Sequence, residues 1–300
     1  MSGEGPRPIS IRAGPLSVGI DPEAGGSLLW FRSVLEGGIQ IDWLRPTPEA
    51  SRDILERACF PLVPFSNRID GATFSLDTDI VRLQPNWPDG LAIHGFGWQR
   101  PWAVAARTDC ETALRLDCPA DEAWPWQTRS ELTYTVSPTA LTMRLGLTNL
   151  SARPMPSGLG FHPYFPRTEE TRLTAPCTGT LLTDPRQIPI ALDSAHPVIS
   201  GLSKGILPDD GFDNALVGWS GLAEVVLSDG HRLVLRADPG TSRAVFYAPV
   251  GEPYFCFEPV THSPNAHNVC LDPSGDSGLV MLEGGETQTF STALEVAGSV

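Results

Sequence analysis

Apolar and polar residues alternate along much of this chain. Between Thr139 and Thr148 the odd positions Leu141, Met143, Leu145 and Leu147 are apolar, whereas Thr142, Arg144 and Thr148 are polar. A period of two is the mark of a half-buried strand, because successive side chains leave opposite faces. The same reading predicts strands at Thr73–Leu83, Thr128–Val136 and Gln288–Val296. Leu222–Leu227 and Arg232–Ala237 flank Asp229-Gly230, two residues that tolerate positive φ, which predicts a hairpin. Only Pro48–Cys59, around Arg52-Asp53-Ile54-Leu55-Glu56-Arg57, reads as a short helix. The 29 glycines and 29 prolines fall between the strands and mark turns. No internal repeat or linker interrupts the pattern. One all-β domain over residues 1–300 is expected, a large antiparallel β-sandwich, with residues 1–8 as a loose N-terminal segment. Periodicity alone leaves a barrel or a jelly roll open.

Composition narrows the function. A chain of 300 residues, 41% hydrophobic and 19% charged, can bury a sizeable core. No apolar run approaches the roughly 18–20 residues that span a bilayer. Met1–Ile11 is rich in Gly, Pro and Ser and lacks a hydrophobic signal core, so a cytoplasmic location is expected. The net charge of −14 repels phosphate backbones and anionic lipid, which argues against nucleic-acid and membrane partners. Lys204, the one lysine, sits in a Gly-rich loop and makes Schiff-base chemistry improbable. Six scattered cysteines without a CxxC pair read as reduced structural thiols.

Four segments place polar, reactive groups in stiff or apolar surroundings. His162 lies in Gly160-Phe161-His162-Pro163-Tyr164-Phe165, where the following proline excludes a mid-helix position. A histidine there can exchange a proton near neutral pH. Asn67 and Arg68 follow Phe65-Ser66 and offer hydrogen bonds suited to vicinal hydroxyls. His94 precedes the glycine-rich turn carrying Phe96 and Trp98, and aromatic faces beside a histidine suit the C–H faces of a sugar. In Tyr254-Phe255-Cys256-Phe257-Glu258 a strand would put Tyr254, Cys256 and Glu258 on one face, and burial would make Glu258 a better proton acceptor. Each also has a plain structural reading: a turn histidine, a solvated arginine, an exposed strand-end glutamate. His94, His162 and Glu258 contain the donor types of a two-histidine, one-carboxylate metal site. No HxH, HxxxH or HExxH spacing joins them, so no metal is expected. No GxSxG elbow, phosphate loop or dinucleotide fingerprint occurs.

Ser66-Asn67-Arg68-Ile69, Ile93-His94-Gly95, Phe161-His162-Pro163-Tyr164-Phe165, Phe212-Asp213-Asn214-Ala215 and Cys256-Phe257-Glu258-Pro259 come in the order found in aldose 1-epimerases. The chain resembles this galactose mutarotase-like family, in its shorter bacterial branch, over nearly its whole length. Val18–Leu29, with its Gly25-Gly26 turn, resembles the family's start. Each motif is short, and the specificity lies in their order. The resemblance implies a galactose mutarotase-like supersandwich that interconverts the α and β anomers of a free sugar without a cofactor. It implies Glu258 as general base on the C1 hydroxyl and His162 as general acid on the ring oxygen. It further implies that His94, Asn67, Arg68 and Asp213 hold sugar hydroxyls, although Asp213 by itself reads as a turn residue. Galactose-type enzymes carry a sugar-contacting glutamine where this chain has Val245 in Ala244-Val245-Phe246-Tyr247, which removes one basis for galactose specificity.

Two rivals follow. A hexose-6-phosphate 1-epimerase would need convergent cations, for which Arg68, Arg100 and Arg243 are the candidates. A non-catalytic carbohydrate-binding module would not need both His162 and Glu258. The sequence leaves open the sugar, a monomer or homodimer, and whether Trp98, Trp124 or Trp126 lines the pocket.

Overall fold

Two eight-stranded antiparallel sheets carry the architecture of the computed structural model, which describes residues 8–297. Residues 1–7 of the expected N-terminal segment lie outside the described residues. The first sheet runs, in spatial order, through Ala103–Arg107, Glu111–Cys118, Thr128–Val136, Ala140–Asn149, Thr287–Ala297, Arg232–Ala237, Leu222–Val226 and Arg172–Thr174. In the second, Pro189–Asp193, Gly179–Thr183, Phe212–Val217, Arg243–Ala248, Tyr254–Val260, Gly160–Phe161 and Pro61–Leu62 are successive neighbours, and Tyr164–Pro166 also pairs with Tyr254–Val260. A four-stranded N-terminal sheet, Ile9–Ala13 to Gln40–Asp42, packs into the same core.

The alternation produces this arrangement directly. Leu141, Met143, Leu145 and Leu147 are buried on the inner face of the first sheet, while Thr142 and Arg144 point outward. They share one apolar cluster with Phe246, Phe255 and Phe257 of the second sheet. Phe161 and Phe290 stack across the two sheets with ring centroids 6.1 Å apart. The chain is thus the expected β-sandwich, and its two sheets decide among the architectures that a period of two leaves open.

The central strands of the second sheet, Arg243–Ala248 and Tyr254–Val260, are buried on both faces. Along Tyr254–Val260, Phe255 and Phe257 enter the main core, whereas Cys256 and Val260 join a second apolar cluster with Phe60, Leu62, Trp98 and Tyr164. That second cluster, on the side away from the sandwich interior, forms the bed of the functional site.

Local expectations fare unevenly. Thr73–Leu83 is a hairpin of Thr73–Leu76 and Asp79–Arg82, reversed at Asp77 with φ of 52°, so one alternating run covers two strands. The Asp229-Gly230 hairpin forms, with Gly230 at φ of 86° supplying the left-handed residue. The expected helix in Pro48–Cys59 shrinks to the three-residue 3-10 turn Ile54–Glu56. There the Asp53 carboxylate accepts from the Leu55 N–H, and Arg57 leaves extended to meet the buried Asp21 at 3.1 Å. The α-helix is Pro197–Ser203 instead: Pro197 opens it, the His196 imidazole caps it by accepting from the Val198 N–H, and Val198 and Leu202 bury one face. No helix among the described residues is long and apolar enough to cross a membrane.

Inner and outer positions of one strand should therefore differ sharply. Leu145→Ala is expected to lower unfolding free energy by about 2–5 kcal/mol. Thr142→Ala should change it by no more than about 0.5 kcal/mol. Urea titrations followed by tryptophan fluorescence check both values.

Candidate active site

Phe60, His162 and Tyr164 form a stack on the outer face of the second sheet. The His162 ring lies 4.5 Å from Phe60 and 4.7 Å from Tyr164, nearly parallel to the tyrosine at 16°. Its backbone N–H donates to the Phe60 carbonyl at 3.0 Å. Arg45 closes the column, its guanidinium 4.0 Å from the Tyr164 ring and 4.4 Å from that of Tyr254. Held on both faces, the imidazole can act only through its edge. Nε2 on that edge lies 3.3 Å from Oε1 of Glu258.

Glu258 and His162 are 2% and 7% exposed, so both ionisable groups have left water. Burial drives their proton affinities in opposite directions, because it penalises each charged form. The His162 imidazole is lowered to about 3, by burial and then by the charge of Arg45. The Glu258 carboxyl is raised well above the usual range, by burial and then by Asp213. His162 Nδ1 and Glu258 Oε2 have no hydrogen-bond partner in the protein.

The Ser66-Asn67-Arg68 segment forms the opposite wall. Asn67 takes φ of 56° and His94 φ of 58°, and their backbones and side chains interlock. The His94 N–H donates to the Asn67 carbonyl at 2.9 Å, and the Asn67 N–H donates to His94 Nδ1 at 3.0 Å. Because Nδ1 accepts, a neutral His94 carries its proton on Nε2. Burial first, then the charges of His162 and Arg68, lower His94 well below its ordinary value. One residue earlier, the Ser66 N–H donates to His262 Nε2 at 3.0 Å. Two buried imidazoles thus anchor consecutive amides of the segment that presents Asn67 and Arg68.

Asn67, Arg68, His94, His162, Tyr164 and Glu258 line a cavity of about 200 Å³ with Trp87, Asp213, Tyr247 and Tyr254. All six residues singled out in the sequence, His162, Glu258, His94, Asn67, Arg68 and Asp213, therefore meet in one place. Asp213 is on the strand Phe212–Val217, not in a turn. Its carboxyl is raised by burial against the opposing pull of Arg68. The volume is below the roughly 300–1,000 Å³ of drug-sized ligand sites and suits a single sugar ring.

Other expectations separate here. Arg100 pairs with Asp121 at 2.6 Å and Arg243 with Asp272 and Asp276, and neither lines the cavity. Arg68 is left as the sole arginine of the lining, with Asp213 beside it. Val245 lies in register with Glu258 and is buried in the apolar bed. Trp98 also lies in that bed, and Trp124 and Trp126 belong to the main core. The spacing argument against a metal fails in space: ligand atoms of His94, His162 and Glu258 lie within 4.8 Å of one another. Arg45 and His262 carried no legible signal as supports, because their roles depend on contacts between distant segments.

The Aldose 1-epimerase family pattern matches residues 20–295. An uncharacterized Escherichia coli K12 protein, YphB, is 29% identical over 296 residues, covering 90% of this chain and 96% of its own. A crystal structure from Escherichia coli K12, described as a candidate aldose 1-epimerase, superposes with a TM-score of 0.88 at 26% identity, covering 98% of this chain and 99% of the other. A galactose mutarotase-like protein of Clostridium acetobutylicum shares the fold, with a TM-score of 0.85 at 20% identity over 97% and 95% of the two chains.

Acid should loosen this region. His94, His162, His262 and His267 are all lowered by burial, with His262 at about 4. The unfolded chain therefore binds more protons below pH about 6.5, and stability falls as pH drops. Glu258 and Asp213, raised in the folded state, oppose this above the ordinary carboxylate range, where the folded chain holds protons that the unfolded chain has released, two groups against four. Unfolding free energy is expected to fall by more than about 1 kcal/mol per pH unit between pH 6 and 5. Denaturant titrations across that interval measure it.

Proposed function

The chain belongs to the aldose 1-epimerase family, and on that basis we propose that it interconverts the α and β anomers of a free aldose. The observation that carries this reading is the 3.3 Å contact of His162 Nε2 with Glu258 Oε1 in a cavity sized for one sugar ring.

The pair shares one proton. With that proton on His162, Glu258 takes the proton of the C1 hydroxyl while His162 gives its own to the ring oxygen. The bond between C1 and the ring oxygen breaks, and the C1 oxygen becomes an aldehyde carbonyl. Glu258 is left as the neutral acid and His162 as the neutral imidazole, the two forms that burial favours. The same desolvation makes Glu258 the stronger base and the His162 imidazolium the stronger acid. Rotation about C1–C2 presents the other carbonyl face. The ring hydroxyl then attacks C1, His162 takes its proton back, and Glu258 protonates the new C1 oxygen. His94 Nε2–H, Asn67 and Arg68 donate to ring substituents, and Asp213 accepts from a hydroxyl.

Phosphate recognition finds little support, since Arg100 and Arg243 are tied up elsewhere. A purely binding role would leave the desolvated acid/base pair unexplained. Metal chemistry would occupy the nitrogen and oxygen that this mechanism uses for protons.

Three measurements test the reading. Anomer exchange, followed by NMR with freshly dissolved glucose, galactose and xylose, should exceed the buffer rate for at least one sugar. Glu258→Gln and His162→Asn should each lower that rate by about 10²–10⁴-fold. Dialysis against EDTA should leave it unchanged within twofold, and a loss restored by one divalent metal would replace proton transfer with metal chemistry.

A further inference from the structure

Arg68 brings a positive charge into a cavity whose proposed substrate is neutral. Asp213 and Glu258 line the same cavity, and the guanidinium acts on both as an opposite charge. Left to those two carboxylates, Arg68 would be drawn across the space the sugar needs. Its Nε is buried without a hydrogen-bond partner among the described residues, so no neutral acceptor fixes that end of the fork. The ion pair it makes is with Asp89, Nε to Oδ2 at 3.7 Å.

A built turn aims Asp89 at that position. The Leu91 N–H donates to Asp89 Oδ1 at 2.9 Å, which leaves Oδ2 for the guanidinium. Gly90, at φ of 81°, donates to the Trp87 carbonyl at 3.1 Å and reverses the chain. Asn86 fastens the start of the turn: its Oδ1 accepts from the Ile93 N–H at 2.7 Å, and its Nδ2 donates to the Ile93 and Gly95 carbonyls at 2.9 and 3.0 Å. Ile93 is also the cross-strand partner of Arg68. The arginine and its counter-charge therefore hang on one short strand pair, Arg68–Ile69 with Ala92–Ile93.

We propose that Asp89 is a positioning residue for anomer exchange: it holds the Arg68 guanidinium on the cavity wall, off Asp213 and Glu258, where it stays free to donate to the sugar. The role rests on the anomer-exchange reading and adds a residue to it. His94 and His162, the other titratable neighbours, are lowered by burial and bring no rival charge near neutral pH. Without Asp89, Arg68 would move towards Glu258, and a cation brought closer lowers the proton affinity of a carboxylate. The side chains of Arg68 and Asp89 are 14% and 33% exposed, so dissolved salt screens this pair more than it screens the buried Glu258.

Asp89→Asn keeps an oxygen for the Leu91 N–H and loses the charge, whereas Asp89→Glu keeps the charge. In anomer exchange, Asp89→Asn is expected to raise KM at least threefold and to move the alkaline limb of kcat/KM down by about half a pH unit. Asp89→Glu should bring both values back towards wild type. The wild-type KM should rise between about 0.05 and 1 M sodium chloride although the sugar is uncharged, and that of Asp89→Asn should stay flat. Added to Arg68→Met, Asp89→Asn should change kcat/KM less than twofold, because its effect passes through the arginine. An equal loss in the Arg68→Met background would reduce Asp89 to a support of the turn and overturn the proposal. Wild-type kinetics in Asp89→Asn would overturn it too and leave the activity standing. Buffer-rate exchange by the wild type for every sugar would overturn the activity, and this role with it.

Discussion

Everything at the site depends on keeping a histidine and a glutamate dry and in contact. An imidazole and a carboxyl in water would titrate near 6.5 and 4.3, in the order that makes the imidazolium a weak acid and the carboxylate a weak base. Burial moves His162 down to about 3 and Glu258 upward, which reverses that order. The protein obtains the reversal by placing the pair on the outer face of a sheet whose inner face is already core. It then covers that outer face with chain drawn from other parts of the sequence. Phe60 and Tyr164 grip the imidazole from both sides, and Arg45 backs the tyrosine while adding a positive charge that discourages a second proton.

The cover is itself held by histidines that must stay neutral. His94 and His262 accept the amides of Asn67 and Ser66, which they can do only with an unprotonated ring nitrogen. His262 Nδ1 meets the Ser263 carbonyl at 2.7 Å, which fixes its tautomer with Nε2 free to accept. Gly158 makes room for that ring, since a Cβ there would lie 1.8 Å from His262. Desolvation therefore acts twice, shifting the His162–Glu258 pair and locking the segment that presents Asn67 and Arg68 to the cavity.

Much of this was legible in the sequence, and the reason is physical. Strands announce themselves through a period of two, and Leu141 to Leu147 display it without interruption. The apolar run around Glu258 reflects a strand covered on both faces, where a carboxylate must have a purpose. Helix reading went wrong at both places: Asp53 caps a turn of only three residues, ended by an extended Arg57, whereas Pro197 and His196 start a helix in a β-branched stretch. Arg45 and His262 are supports whose partners lie far away in sequence, 119 residues for Arg45 to Tyr164 and 196 for His262 to Ser66. The metal argument shows the same limit, since spacing along the chain said nothing about three side chains gathered from three segments.

The central claim is that His162 and Glu258 act as one unit sharing one proton. Its most direct test is a double-mutant cycle on anomer exchange with Glu258→Gln, His162→Asn and the combined variant. Groups that act as a unit are strongly non-additive, so the double variant should be no slower than the worse single variant within about threefold. Multiplied losses in the double variant would mean independent roles and would contradict the account.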